Sequence, residues 1–269
     1  MRARVWGCRG SLATPGPTTN RYGGNTSCVE VRPSSGGLIV LDAGTGIRAL
    51  GAAVAADPLA EIDILLTHIH LDHIEGLAFF APLFDPRCHV RIWGPRPGEV
   101  PLAKHLAAYL SPPFFPVPFH EFPATIEVNE VGEGAWMVGG LNVVAESVMH
   151  RGPTHAYRLE EAGHSLAYIP DNEPAARPGS GSATAGGADV LFHDAQYTAA
   201  EYATRHGWGH ASLADFALLV DAAAPGRAFM FHHDPTHADD TLEAMLAEAA
   251  SLAPGRDVAL AQEGVELEI

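Results

Sequence analysis

Cysteine is scarce in this 269-residue sequence, which contains only Cys8, Cys28 and Cys88. The three residues are far apart and none belongs to a Cys-x-x-Cys pair, which argues against a disulfide framework and against a thiolate zinc knuckle. The sequence also lacks a Gly-x-Ser-x-Gly elbow, so we expect no serine nucleophile of that type. The chemistry of the chain must therefore come from other side chains.

Long apolar runs are absent as well. Every apolar run is interrupted within a few residues, so we expect no membrane span. The N-terminal segment 1–6 carries charge without the apolar stretch of a secretory signal, and the sequence therefore predicts a cytoplasmic protein.

Basic residues are outnumbered by acidic ones, 16 to 32, which gives a net charge of -16. The Lys and Arg residues are scattered rather than clustered, so a long nucleic acid would be repelled over most of the surface. We expect a small-molecule substrate instead, and a homodimer is compatible with the sequence.

What the sequence does contain is an alternation of short strands and helices in both halves. Residues 1–269 are expected to form a single domain in which two β-sheets pack together with helices outside. Strands are predicted at Ala3–Gly7, Ser27–Arg32, Gly37–Asp42, Ile62–Leu66, Thr125–Val128, Leu141–Val148, Ala156–Leu159, Ser165–Ile169, Ala188–Phe192 and Ala228–Phe231, and helices at Ile47–Ala56, Ile74–Phe80, Ala211–Ala222 and Thr236–Ala250. A proline-rich segment at Gly94–Pro118 could be a lid, a loop or surface packing, and Ala175–Gly187 is predicted to be a flexible loop.

Fifteen histidines are present, and the densest group lies in residues 67–73, Thr-His-Ile-His-Leu-Asp-His, directly after an apolar strand. His68 and His70 are two apart in an extended segment, so their rings leave the same face and can hold one ion. Asp72 and His73 lie at the following turn and point to a neighbouring position, where a carboxylate and an imidazole suit a second ion.

This run, His-x-His-x-Asp-His after a strand, resembles the signature of the metallo-β-lactamase superfamily, and in particular its ribonuclease Z-like and cyclic phosphodiesterase branch. The resemblance implies an α/β protein with a four-layer αββα sandwich, mixed sheets and helices outside. It also implies that loops at one edge of the sandwich hold the metal ions.

The resemblance implies three further ligands, each near the end of a strand: His150, Asp171 as a bridging carboxylate, and His232. The first metal ion would then be held by His68, His70, His150 and Asp171, and the second by Asp72, His73, Asp171 and His232. Rival histidines lie near the later positions, namely His155, His164, His193 and His233. So many ligands exceed the needs of one tetrahedral zinc ion, which favours two divalent ions, with zinc the first choice and manganese or iron also suited.

With two such ions, a hydroxide bridging them is the expected nucleophile toward a phosphodiester. The resemblance implies that His210 protonates the leaving oxygen and that Asp194 holds His210 in position. We also expect Asp72 to be a catalytic residue. A packing or capping role is the alternative for His210. Asp42 is expected to orient a ligand or the backbone under the metal loop, or else to cap a helix.

Features around these ligands favour one branch over others. The carboxylate of Asp171 favours phosphodiesterases over zinc β-lactamases, and the short stretch between His150 and Asp171 leaves no room for the basic arm of transfer-RNA processing members. We therefore predict a phosphodiesterase for small or cyclic substrates. A thioester or lactone hydrolase is the alternative if Phe114 and Phe115 line a pocket without cations, and a metal-free binding protein is the third possibility.

Overall fold

Two β-sheets of seven strands each face one another in the computed structural model, which describes residues 1–56 and 61–269. The first sheet consists of β1 Arg2–Gly7, β2 Cys28–Arg32, β3 Leu38–Leu41, β4 Glu61–Leu65, β5 His89–Gly94, β6 Thr125–Glu130 and β14 Glu266–Glu268. The second consists of β7 Gly134–Val138, β8 Leu141–Ser147, β9 His155–Glu161, β10 His164–Ile169, β11 Val190–Asp194, β12 Arg227–Phe231 and β13 Val258–Leu260.

The two sheets share one plan of connection. In the first, β1, β2 and β3 pair antiparallel, and β3 to β6 continue in parallel. In the second, β7 to β10 are antiparallel and β10 to β13 parallel. Parallel strands require crossover connections, which carry the helices.

The helices are α1 Ile47–Ala56, α2 Leu71–Ile74, α3 Leu102–Tyr109, α4 Ser182–Ala185, α5 Ala199–Arg205, α6 Leu213–Ala223 and α7 Asp239–Leu252. Among the described residues, none of them is long and apolar enough to cross a membrane.

The buried apolar residues form three clusters, one between each pair of adjacent layers of the sandwich. Ile39 and Leu41 of β3 face Tyr168 and Phe231 of the second sheet, while the alternate residue Val40 packs toward α1 and α3. A third cluster lies between the second sheet and α6 and α7. Successive strand residues point to opposite faces of a sheet. A sheet with apolar residues on both faces is therefore covered on both, here by helices on one face and by the other sheet on the second. The predicted αββα sandwich of mixed sheets is confirmed.

The segment predicted as a helix over Ile74–Phe80 is different in the structure. The α-helical turn ends at Ile74 and the chain continues as 3₁₀ turns over Glu75–Phe79 and Ala81–Phe84. The amide of Gly76 donates to the carbonyl of Ala43 at 3.0 Å instead of to the preceding turn, so the α-helical ladder is broken there.

The proline-rich segment Gly94–Pro118 is not a loop throughout, because α3 lies within it. Leu102 and Leu106 of α3 are buried in the core of the first half, and the hydroxyl of Tyr109 donates to the carbonyl of Glu75 at 3.1 Å. Residues 175–187, predicted as a flexible loop, contain α4 and bury Thr184.

Candidate metal centre

Four segments bring the predicted ligands to one edge of the sandwich, and each of these segments follows a strand. The run that begins at His68 follows β4, Asp171 follows β10, His232 follows β12, and His150 follows β8 after a short turn. His210 lies before α6 on a further segment. The carboxyl ends of neighbouring parallel strands meet at one sheet edge, which is why residues distant in sequence converge there.

The first group consists of His68, His70 and His150. Their ligand atoms all lie within 4.8 Å of one another. His70 Nδ1 and His150 Nε2 are 3.1 Å apart, and the rings of His68 and His70 meet edge to face with centroids 4.4 Å apart. These are the three histidines that we predicted for the first ion.

The second group consists of Asp72, His73 and His232, again with ligand atoms within 4.8 Å. Asp72 Oδ2 lies 3.3 Å from His73 Nε2 and 3.1 Å from His232 Nε2. Ser11 holds the Asp72 carboxylate from outside, because its amide donates to the same Oδ2 atom at 2.7 Å.

Asp171 lies between the two groups. Its Oδ2 atom is 3.1 Å from His73 Nε2, and its Oδ1 atom is 3.7 Å from His150 Nε2 and 3.3 Å from His232 Nε2. The carboxylate is almost completely buried. A carboxylate in this position can contact both groups at once, which is the position that the resemblance implies for a bridging carboxylate.

Contacts outside the cluster fix which ring nitrogen of each histidine faces it. The Nδ1 atoms of His73 and His150 donate to the Asp42 carboxylate at 2.8 Å and to the Gly209 carbonyl at 2.7 Å. In both residues this leaves Nε2 toward the cluster.

His232 and His68 are held in the same way. Gln196 uses its amide nitrogen to donate to Asp234 at 3.1 Å, so its oxygen accepts from His232 Nδ1 at 2.9 Å. The Thr67 hydroxyl donates to Asp42 and accepts from His68 Nδ1 at 3.0 Å. In all four rings, the hydrogen bond at Nδ1 orients Nε2 toward the cluster, where it could coordinate a cation.

Among the described residues, three buried atoms of the cluster have no hydrogen-bond partner, namely His68 Nε2, His73 Nε2 and Asp171 Oδ2. The last two lie 3.1 Å apart, but their geometry is not that of a hydrogen bond. A buried polar atom without a hydrogen-bond partner lowers the stability of the folded protein. Here these atoms lie where the two groups of ligands face each other. Nitrogen and carboxylate oxygen donors at these distances fit divalent cations such as zinc. The donor set therefore fits two such ions, one in each group with Asp171 between them.

Burial and neighbouring charge divide the histidines into two classes. Burial lowers the pKa of His68 and His70 and lowers the pKa of His150 to about 4. Burial acts in the same direction on His73 and His232, but the carboxylates of Asp171 and Asp72 outweigh it, so the pKa of His73 is raised well above its usual value and that of His232 is raised to about 9.

The two cluster carboxylates respond in the opposite direction. Burial alone would raise their pKa values, but His73 and His232 hold the pKa of Asp72 and that of Asp171 well below the ordinary range. Both carboxylates are therefore charged near neutral pH and can bind cations.

His210 lies beside the cluster. Its Nδ1 atom donates to Asp194 Oδ2 at 2.8 Å and is 3.7 Å from Asp171 Oδ1, and its ring stacks on that of His232 with centroids 4.8 Å apart. Asp194 also accepts from the amides of Asn172 and Gln196, which fixes its position. The structure thus places His210 and Asp194 together, as predicted, but α6 begins only at Leu213 and its N-cap is Ser212.

Residues 38–233 match the family described as Beta-lactamase superfamily domain, and this stretch contains all the predicted ligands from His68 to His232. The chain belongs to this superfamily. Ribonuclease Z from Mycobacterium sp. (strain KMS) is 29% identical over 260 residues, which cover 90% of this chain and 88% of that protein. The resemblance to the superfamily and to its ribonuclease Z-like branch is confirmed.

Two solved structures show the same fold. One is a diphosphatase from the PhnP family, with a TM-score of 0.70 and 20% identity over 100% of this chain and 97% of that one. The other is Zn²⁺-bound PqqB from Methylobacterium extorquens, with a TM-score of 0.72 and 18% identity over 100% of both chains.

The rival histidines lie outside the cluster of this superfamily member. His233 is buried, donates from Nε2 to the carbonyl of Ala261 at 2.9 Å, and has its pKa lowered to about 3 by burial. His193 donates to the carbonyl of Asp194, and His164 is exposed near Asp189. His155 packs edge to face on Tyr157.

Among the described residues, neither of the two phenylalanines proposed to line a pocket makes a ring contact with a cluster histidine. Phe114 is exposed, and Phe115 packs against Phe79 and Phe122. Sequence reasoning missed Ser11 and Gln196, which hold Asp72 and His232. Each is a single polar residue far from its partner in sequence, so no local pattern could reveal it.

Proposed function

We propose that this chain is a metal-dependent hydrolase that uses two divalent cations to cleave a small or cyclic phosphodiester. The two cations would be held by His68, His70 and His150 on one side, by Asp72, His73 and His232 on the other, and by Asp171 between them. Superfamily membership and the Ribonuclease Z and diphosphatase relatives support a phosphodiesterase activity.

The observation that carries the proposal is the position of Asp171. One buried carboxylate lies within 3.7 Å of histidine nitrogens from both groups, and its partners come from different strands. Divalent cations bound at such a site supply Lewis acidity, which polarises a phosphoryl oxygen and makes water a stronger nucleophile.

The residues around the cluster have separate tasks. The outer acceptors Asp42, Gln196 and the Gly209 carbonyl hold the ligand rings in one orientation. His210 is the general acid in this proposal, because Asp194 fixes its Nδ1 proton and leaves Nε2 to protonate the leaving oxygen.

A ribonuclease is the second candidate, and the Ribonuclease Z relatives favour it. Two features of this chain favour the smaller substrate. Its net charge is -16, and the stretch between His150 and Asp171 is filled by the hairpin of β9 and β10, without a basic arm. Cleavage of an RNA oligonucleotide at a rate above that of a simple diester would reverse this preference.

Hydrolysis of aryl phosphodiesters with graded leaving groups tests the proposal. In zinc- or manganese-loaded protein, His210→Ala should reduce kcat by about 10²- to 10⁴-fold for a poorly leaving alkoxide. It should reduce kcat far less for 4-nitrophenolate, which leaves without a proton. Asp194→Asn should show the same dependence on the leaving group.

His206→Ala is the matched control, because His206 lies on the same segment with an exposed side chain. It should retain the wild-type rate with both leaving groups. A wild-type protein that hydrolyses no phosphodiester when loaded with cations, but does hydrolyse a thioester or lactone, would overturn the proposal.

A further inference from the structure

An exposed tryptophan lies on a segment that contacts the cluster. Trp208 exposes 56% of its surface, and it lies one residue before Gly209 and two before His210. The carbonyl of Gly209 accepts from His150 Nδ1 at 2.7 Å, so the turn that carries Trp208 is in direct contact with the cluster.

This turn is rigidly held. Glu173 is buried, and its carboxylate accepts from the amides of Gly207 at 2.7 Å and Gly209 at 2.8 Å, as well as from the hydroxyl of Tyr202. Gly207 and Gly209 have φ angles of 81° and 95°, which favour glycine. A Cβ at Gly209 would lie 2.4 Å from His150 Nδ1, so glycine is required for this close approach.

A cation lies on the same turn. Arg151 follows His150 directly, is exposed, and donates from Nε to the carbonyl of Gly207 at 2.7 Å. That bond occupies one edge of the guanidinium group, and its two terminal nitrogens have no partner among the described residues. A guanidinium group with free donors suits an anionic oxygen.

Other exposed apolar side chains flank the ligands. Leu71 lies between His70 and Asp72, and Leu12 follows Ser11, the residue that holds Asp72. The described segments around the cluster therefore expose apolar groups together with the free terminal nitrogens of Arg151, an arrangement that does not suit a polyanionic ligand.

We propose that Trp208 and Arg151 form a subsite for the arm of the phosphodiester that is not the leaving group, with the indole stacking on a planar aromatic group and the guanidinium contacting a phosphate oxygen. This inference rests on the proposed function and names its substrate class, phosphodiesters with a planar aromatic arm. A stacking role explains why a buried carboxylate and two glycines fix the backbone of the turn that carries an exposed tryptophan.

Binding of two inert anions, phenylphosphonate and methylphosphonate, to the cation-loaded protein tests the subsite without turnover. The wild type should bind phenylphosphonate more tightly, and Trp208→Ala should weaken that binding about tenfold while leaving methylphosphonate unchanged. Trp208→Phe should retain most of the preference. Arg151→Gln should weaken both anions by a similar factor, and Leu218→Ala, at an exposed apolar residue on α6, should weaken neither.

Kinetics with a constant 4-nitrophenolate leaving group supply the second measurement. Trp208→Ala should raise KM about tenfold for diesters with a phenyl or thymidine arm and leave a methyl arm unaffected, with kcat unchanged. The larger effect among the two aromatic arms identifies a simple aryl group or a nucleobase as the preferred ring.

The two proposals fail separately. If the wild type hydrolyses the diesters but shows no preference for aromatic arms, or if Trp208→Ala keeps that preference, the subsite is wrong and the function stands. If the wild type hydrolyses no diester yet Trp208→Ala selectively weakens phenylphosphonate, the subsite stands and the proposed function is wrong.

Discussion

Asp42 shows how single residues organise the candidate metal centre. Its buried carboxylate accepts from the Thr67 amide at 2.7 Å, from the Tyr168 hydroxyl at 3.0 Å and from His73 Nδ1 at 2.8 Å. None of the hydrogen bonds described for this carboxylate goes to α1, so the orienting role predicted for Asp42 fits the contacts and helix capping does not. Its φ of 58° is a left-handed conformation that aspartate tolerates better than most residues.

Proton release on cation binding is the first prediction at this scale. The pKa of His232 is raised to about 9 and that of His73 is raised well above its usual value, so we expect both rings to carry a second proton at pH 7.5 before cations bind. Coordination requires an unprotonated Nε2, so we expect zinc binding to release up to about two protons per chain. Calorimetric titration in buffers of different ionisation enthalpy measures this number.

The histidines whose pKa values are lowered serve as the internal control for proton release. His68 and His150, whose pKa values are lowered, are neutral at this pH and should contribute nothing. The proton released by His232 should therefore be lost, and the apparent affinity should rise, as the pH increases through about 9. Proton uptake, or release that does not change with pH, would contradict this account.

The ligands of the candidate site were easier to predict from the sequence than the residues that hold the surrounding segments in place. Residues 67–73 contain three histidines and a carboxylate, and this local pattern by itself predicts a metal site, because few structural roles need so many ligand types so close together. The positions of His150, Asp171 and His232 came from the resemblance, and the structure brings these three residues next to the residues of the 67–73 run. Glu173 carried no local signal, because its partners at Gly207 and Gly209 become neighbours only after folding.

At the scale of elements, the start of α6 carries the second prediction. Ser212 accepts from the amide of Asp215, and the Asp215 carboxylate accepts from the amide of Ser212, which forms a capping box. Ser212→Ala should lower the free energy of unfolding by about 0.5–2 kcal/mol, because the orphan amides of the first turn lose their acceptor. Urea denaturation measures the change.

Ser251→Ala is the matched control for this substitution, since Ser251 is an exposed serine at the end of α7 whose hydroxyl donates to a carbonyl of its own helix, that of Glu248. It should change the free energy of unfolding by less than about 0.5 kcal/mol. Equal effects of the two substitutions would show that the capping box contributes nothing beyond loss of a hydroxyl.

Periodicity predicted most elements and failed where tertiary contacts decide. The predicted and observed bounds of α1 coincide at Ile47–Ala56, and the buried residues Ile47, Leu50 and Val54 recur at helical spacing along it. Strand β5, His89–Gly94, was missed although its residues alternate between buried and half-buried, a signal present in the sequence. The 3₁₀ turns after Ile74 were not predictable, because the contact of Gly76 with the carbonyl of Gly44 exists only in the folded chain.

At the scale of the whole molecule, the two halves of the sandwich share the candidate metal centre. The loop after β4 supplies His68, His70, Asp72 and His73, and the second half supplies His150, Asp171 and His232. Cations bound by both halves would stabilise the folded state over the unfolded chain, which has no such preformed site.

The number of zinc ions retained per chain after equilibrium dialysis, measured by elemental analysis, tests the central claim most directly. We predict two ions for the wild type and for the control His164→Ala, whose histidine is exposed and outside the cluster. Asp171→Ala should retain fewer than two, because it removes the carboxylate that serves both groups. A wild-type protein that retains no zinc, or an Asp171→Ala protein that still retains two ions with unchanged affinity, would contradict the account.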